Sequence, residues 1–140
     1  MANEQPKGLE ISTTITEFRR DSDFVARYAN NVQAESTGFD LKLVFGILDQ
    51  SRVPRGGPLA VDQHTAVNIS WPEVKLLIFY LQLHLAGHEK ENGKVKIPAN
   101  ALPAEPPVSI PPQFDNPQAR EAIELVRKMR ADFIAKQSEI

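Results

Sequence analysis

The segment that begins at Trp71 is apolar on two sides, and this limits what the chain can fold into. At about 100° per residue, Val74, Leu77, Ile78, Leu81 and Leu85 form one stripe of a helix. Leu76, Phe79 and Leu83 form a second stripe on nearly the opposite flank. A helix that is hydrophobic all round is buried all round, and one small sheet covers only one flank. The sequence therefore predicts that the other flank is covered by a second copy of the chain or by another protein. A length of 140 residues matches a single domain of ordinary size, which sharpens the shortage of cover.

The segments around this helix read as strands, loops and a second helix. Residues 1–8 are polar, with Pro6 and Gly8, and read as a flexible start. Leu9, Ile11, Thr13 and Ile15 alternate with Glu10, Ser12, Thr14 and Thr16, the period-2 pattern of a half-buried strand. Phe24 to Thr37 reads as extended, with Tyr28, Val32 and Ala34 on one face. The clearest strand follows, where Phe39, Leu41, Leu43, Phe45 and Ile47 alternate with Asp40, Lys42, Val44 and Gly46, and the odd-numbered face is expected to be core. Asp49 to Ala60, with two prolines and paired glycines, reads as a long hairpin loop. Val61 to Ile69 resumes the alternation.

Ser70-Trp71-Pro72-Glu73 then reads as a capping box with proline in the first helical turn. The helix is expected to run to about Glu89 or Glu91 and to stop at Asn92 and Gly93. Between Pro98 and Pro117 lie seven of the eleven prolines, a composition that favours an extended course, either free or laid across a surface. Asp115-Asn116-Pro117 signals a helix start. In this last helix Ala119, Ala122, Val126, Met129 and Phe133 recur at spacings of three and four, with Ile123 beside them. About two heptads are too few for independent stability, so this helix is expected to dock or to pair with its own copy.

The expected fold class is α+β: an antiparallel sheet of three to four strands packed on one central helix, a Pro-rich connector, and a C-terminal amphipathic helix. Strands followed by helices favour segregated layers over a parallel sheet. The expected boundaries are a flexible start at 1–8, an α+β domain at 9–93, the connector at 94–116 and the amphipathic helix at 117–140. The expected subunit contact comprises Leu76, Phe79 and Leu83, with Val126, Met129 and Phe133.

The run Tyr28-Ala29-Asn30, the strand from Phe39 to Gly46, and a strand that leads into a proline-started helix at Ser70-Trp71-Pro72 resemble a family of small bacterial and archaeal proteins of unknown function. The likeness covers roughly Tyr28 to Glu91. At the helix head the family has Ser immediately before Pro and then a Gln-His-Ala-Lys run. Here Trp71 separates Ser70 from Pro72, and Glu73, Val74 and Lys75 follow, so no role for the family's histidine transfers. The resemblance implies the fold and no activity. Independently of it, Tyr28 fits a strand start with its hydroxyl at the rim, and an asparagine beside it suits an otherwise unpaired backbone group.

Few residues carry the pattern of a reactive site. His84 and His88 stand four apart, the spacing of two imidazoles on one metal. A catalytic zinc needs three protein ligands, and His64, Glu89 or Glu91 would have to supply the third. Pro54-Arg55-Gly56-Gly57-Pro58 lacks the lysine-serine ending and the following helix of a phosphate loop. No nucleophile signature is present, and without cysteine thiol chemistry is excluded. A net charge of -2 gives no general attraction to nucleic acid or anionic lipid. Arg120, Arg127, Lys128 and Arg130 are interleaved with Glu121, Glu124 and Asp132, with Glu124–Lys128 and Asp132–Lys136 spaced as helical ion pairs. The prolines at 103–112 include a PxxP pattern without a flanking basic residue, which suits a semi-rigid spacer better than a groove ligand.

The expected function is a non-enzymatic, homo-oligomeric protein-interaction module with a dimer favoured and a protein partner allowed. No cofactor, metal, nucleic acid or membrane is expected, and the location is cytoplasmic. A holding chaperone for unfolded or exported polypeptides is the alternative, since the layout is similar to that of the export chaperone SecB, which also joins an antiparallel sheet to a long helix. A small-ligand or metal-binding protein using His64, His84 and His88 is the third reading.

Overall fold

The computed structural model describes residues 15–49 and 59–138, and the chain divides into two compact units, Met1–Ile69 and Ser70–Ile140. The first holds a three-stranded antiparallel sheet in the order β1-β2-β3, with β1 at Asn31–Ser36, β2 at Asp40–Leu48 and β3 at Val61–Ser70. β1 and β2 pair with Asn31 opposite Gly46 and Ser36 opposite Leu41. Thr37 closes the turn between them. Its N–H donates to the Asp40 carbonyl at 2.9 Å, and its Oγ1 accepts the Phe39 and Asp40 N–H groups at 3.2 and 3.1 Å. The Thr37 hydroxyl also donates to Asp40 Oδ1 at 2.8 Å, and Asn68 Nδ2 donates to Oδ2 at 3.0 Å. These two bonds, Thr37's first, hold the Asp40 carboxyl below its ordinary range.

Two strand expectations are revised, and a third falls largely outside the described residues. The extended stretch from Phe24 enters the ladder only at Asn31. The strand expected at 9–16 lies outside the described residues except for Ile15 and Thr16, which carry no strand. The odd-numbered face of β2 is not the buried one. Leu41, Leu43, Phe45 and Ile47 are half-buried and Phe39 is exposed, whereas Val44 is the one buried hydrophobic side chain among the described residues. Val44 sits at the middle of the central strand, where neighbours flank it on both sides. Gly46, also buried, lies so close to β3 that an added Cβ would meet Asp62 O and Val61 Cγ1 at 2.8 Å.

The second unit contains α1 at Trp71–Asn92, two single 3-10 turns at Ala99–Ala101 and Pro112–Phe114, and α2 at Pro117–Ser138. α1 begins at the expected place, directly after β3, but the capping box is not made: Ser70 is extended and its side chain forms no cap hydrogen bond. Pro72 has no N–H to satisfy, which removes part of the demand for a cap. At the other end Gly93 has φ 87° and ψ 170°, a region open essentially to glycine alone. Glu89 secures the chain reversal there: its carbonyl accepts the Gly93 N–H at 2.9 Å, Oε1 accepts the Val95 N–H at 3.1 Å, and Oε2 lies 3.5 Å from Lys94 Nζ. α2 starts as expected, with Asn116 Oδ1 accepting the Ala119 N–H at 2.8 Å and Pro117 in the first turn.

Candidate interaction surface

The stripe expected to form a subunit contact is open in the single chain. Leu76, Phe79 and Leu83 are 49%, 57% and 55% exposed. The opposite stripe is little better covered. Val74 and Leu77 are half-buried, while Ile78, Leu81 and Leu85 are exposed. Phe79 and Tyr80 meet edge to face with ring centroids 5.4 Å apart, a geometry that fixes both rings at the helix surface. Monomers rarely expose a continuous apolar surface of this kind without using it.

α2 has one covered flank and one open flank. The Pro-rich tract lies along the helix. Arg130 Nε donates to the Pro103 carbonyl at 2.8 Å, and its guanidinium is 3.7 Å from Glu105. Leu102, Pro106 and Ile110 in the tract, and Ala119, Ile123, Arg130 and Ile134 in the helix, are the half-buried residues here. The covered flank is thus centred on Ile123, Arg130 and Ile134 rather than on the stripe expected from the spacing. Val126 and Met129 remain exposed. Phe133, the most covered of the six expected contact residues, lines a concavity of about 290 Å³ with Leu85, Val95 and Ile97.

Polar side chains hold these elements in place. Asp115 and Arg120 form a two-bond ion pair at 2.7 and 3.0 Å, which holds the Asp115 carboxyl below its ordinary range and raises the Arg120 guanidinium. Glu124 pairs with Arg127 rather than with Lys128. In the first unit Asn30 explains part of the Tyr-Ala-Asn run. Its Oδ1 accepts the Leu48 N–H at 2.7 Å, its Nδ2 faces the Leu48 carbonyl at 3.4 Å, and its own N–H donates to the Gly46 carbonyl at 3.1 Å. One side-chain amide thus extends the β1–β2 ladder past the point where the backbone leaves it. The next residue, Asn31, carries a buried Oδ1 without a hydrogen-bond partner.

Two of the three histidines, His64 and His88, make hydrogen bonds within the chain. His64 makes hydrogen bonds to the Tyr28 carbonyl at 2.9 Å and to Thr65 Oγ1 at 2.7 Å. His88 lies 3.4 Å from Asn92 Nδ2, and His84 is on α1. Among the described residues no group of three histidine, aspartate or glutamate side chains is placed to hold a metal ion. Nor is any described helix long and apolar enough to cross a membrane. No family model, curated protein or solved structure matches the chain.

Proposed function

We propose that this chain is a non-enzymatic, homo-oligomeric protein-interaction module that works in the cytoplasm, with Leu76, Phe79 and Leu83 in the contact between copies and Val126, Met129 and Phe133 extending it. The observation that carries this reading is the exposure of about half of each side chain in the α1 stripe, in a chain whose described residues bury one large apolar side chain.

Solution mass by light scattering tests the proposal. The unmodified chain is expected to sediment and scatter as a dimer or a higher multiple. Phe79→Asp would place an unpaired carboxylate in the contact, where burial costs several kcal/mol per ion. Because Phe79 is 57% exposed in one chain, the substitution leaves the isolated fold nearly untouched. Its expected effect is at least a hundredfold weaker association, about 2.7 kcal/mol. A folded Phe79→Asp chain of undiminished mass would refute the placement.

The second reading, a holding chaperone, draws on the two-sidedness of α1: a self-contact on one flank leaves the other for an unfolded client. Suppressed aggregation of a reduced client protein by the oligomer would favour it over an inert module.

A further inference from the structure

We propose that residues 24–29 form a strap against the sheet, latched by the His64 ring on the Tyr28 carbonyl, and that release of this one hydrogen bond opens the cavity between strap and sheet. The device lies wholly in the first unit and does not depend on the α1 surface.

The segment needs a latch because its own backbone is tied to almost nothing. It begins at a turn closed by the Phe24 N–H on the Asp21 carbonyl at 3.0 Å and ends where the Asn30 N–H joins the ladder. Between these points the chain carries no helix or strand. The side-chain contacts just upstream are local: Arg19 with Glu17, Ser22 with Asp21, and the Arg20 guanidinium over the Phe24 ring at 4.6 Å. Among the described residues, the bond of 2.9 Å between His64 and the Tyr28 carbonyl, 36 positions apart, is the one hydrogen bond or ion pair that joins residues 15–29 to the rest of the chain.

The strap turns one side to the sheet. An extended segment presents alternate side chains to the same side, and Val25, Arg27 and Ala29 line a cavity of about 390 Å³ whose other wall is Phe45 of β2 with His64 and Thr65 of β3. Ala29, Phe45, His64 and Thr65 are half-buried there.

The latch has a defined direction. A carbonyl only accepts, so His64 Nε2 carries the proton and donates it to Tyr28. In a neutral imidazole the other nitrogen is then an acceptor, and the Thr65 hydroxyl, 2.7 Å from Nδ1, donates to it. Thr65 thereby sets the tautomer that closes the latch. Asn30 is the pivot, since its side chain holds the Leu48 N–H at 2.7 Å and its own N–H holds the Gly46 carbonyl. The ladder beyond the pivot stays closed when the latch lets go. Segments with few ties open locally while the rest of a fold persists, and one hydrogen bond of ordinary net strength is worth about a tenfold change in the released population.

Trypsin acting on the full chain tests the proposal at the Arg27–Tyr28 bond, which must leave the sheet to enter a protease cleft. Where opening is fast, cleavage follows the population of the open form. His64→Leu is expected to be cut at this bond about tenfold faster than the unmodified chain, with the amide protection of Leu43 and Val44 unchanged. His64→Gln can place an amide N–H on the same carbonyl and is expected to stay within about threefold. Ala29→Cys, in a chain without native cysteine, reports the cavity, and its modification by iodoacetamide is expected to quicken about tenfold when His64→Leu is added. Cleavage of His64→Leu within twofold of the unmodified chain, equal acceleration in His64→Leu and His64→Gln, or acceleration matched by an equal loss of Val44 protection would each overturn it.

Discussion

Replacing Asn30 by alanine should open the end of the β1–β2 ladder while sparing the rest of the sheet. Of the two side-chain contacts to Leu48, the bond from its N–H to Oδ1 is short at 2.7 Å and the contact from Nδ2 to its carbonyl is long at 3.4 Å. A net hydrogen bond contributes about 0.5 to 1.5 kcal/mol, and contacts near the distance limit contribute little. The short bond therefore carries most of the effect. Leu48 is half-buried, so its released N–H is only partly rehydrated, and the expected loss is about 1.4 kcal/mol, a tenfold change. Amide hydrogen exchange resolves this at one residue: Leu48 protection should fall about tenfold in Asn30→Ala, while Leu43 and Val44 change far less. Asn30→Asp keeps an acceptor for the Leu48 N–H and should retain most of the protection. The clasp is wrong if Leu48 protection in Asn30→Ala stays within twofold of the unmodified chain, or if Asn30→Asp loses as much as Asn30→Ala.

The other expectations follow from local geometry. Gly46→Ala drives a Cβ against the Asp62 carbonyl and Val61 Cγ1 at 2.8 Å, and overpacking of this kind costs about 1 to 3 kcal/mol, read as a lower urea midpoint with unchanged slope. Gly93→Ala forces φ 87° on an alanine and should cost about 1 to 3 kcal/mol, whereas Gly87→Ala, in α1 with nothing within 4 Å of the new Cβ, should gain about 0.5 to 1 kcal/mol; equal effects at the two sites would contradict the assignment. The Asp115 carboxyl is held below its ordinary range by Arg120, so its contribution is present above the ordinary carboxylate range and is lost as pH falls through the lowered value. Asp115→Asn should therefore flatten the acid limb of the stability curve below about pH 4 and leave the difference between pH 6 and 8 unchanged.

The features legible in the sequence were those set by short-range chemistry. Alternation located β2 and β3, proline and asparagine located the starts of both helices, and Gly93 marked the end of α1. The two apolar flanks of α1 were readable because helical period alone determines them. What escaped was set by contacts distant along the chain. Which face of β2 is buried depends on how Val44 is flanked, and alternation does not encode that. The covered flank of α2 is set by the upstream Pro-rich tract: Arg130, which reads as a solvated charge, reaches the carbonyl of Pro103, 27 residues earlier. The capping box failed for a related reason, since Ser70 belongs to β3 as much as to the helix. Asn30 was half readable: an amide beside Tyr28 suited an unpaired backbone group, but its partner 18 residues away could not be named without the register.

The polar and apolar groups of this chain are satisfied to different degrees, and the difference bears on what the chain gains by association. In a self-sufficient monomer apolar side chains fill the interior and polar ones face water, with exposed hydrophobics scattered singly. Here polar side chains are matched within the chain, Gln63 to Gln33, Asn68 to Asp40, Asn30 to Leu48 and Arg130 to Pro103, while Ile78, Phe79, Leu81 and Leu83 on consecutive turns of α1 face outward. Hydrogen bonds settled inside a chain fix geometry but add only modestly to stability; burial of apolar surface stabilises far more. A chain that has fixed its geometry and left its apolar surface uncovered gains most from a matching surface of fixed shape, because little ordering entropy is then lost on association. An identical copy would bring the same preorganised stripe, so the self-association proposed above places fewer separate requirements on α1 than an unrelated partner would.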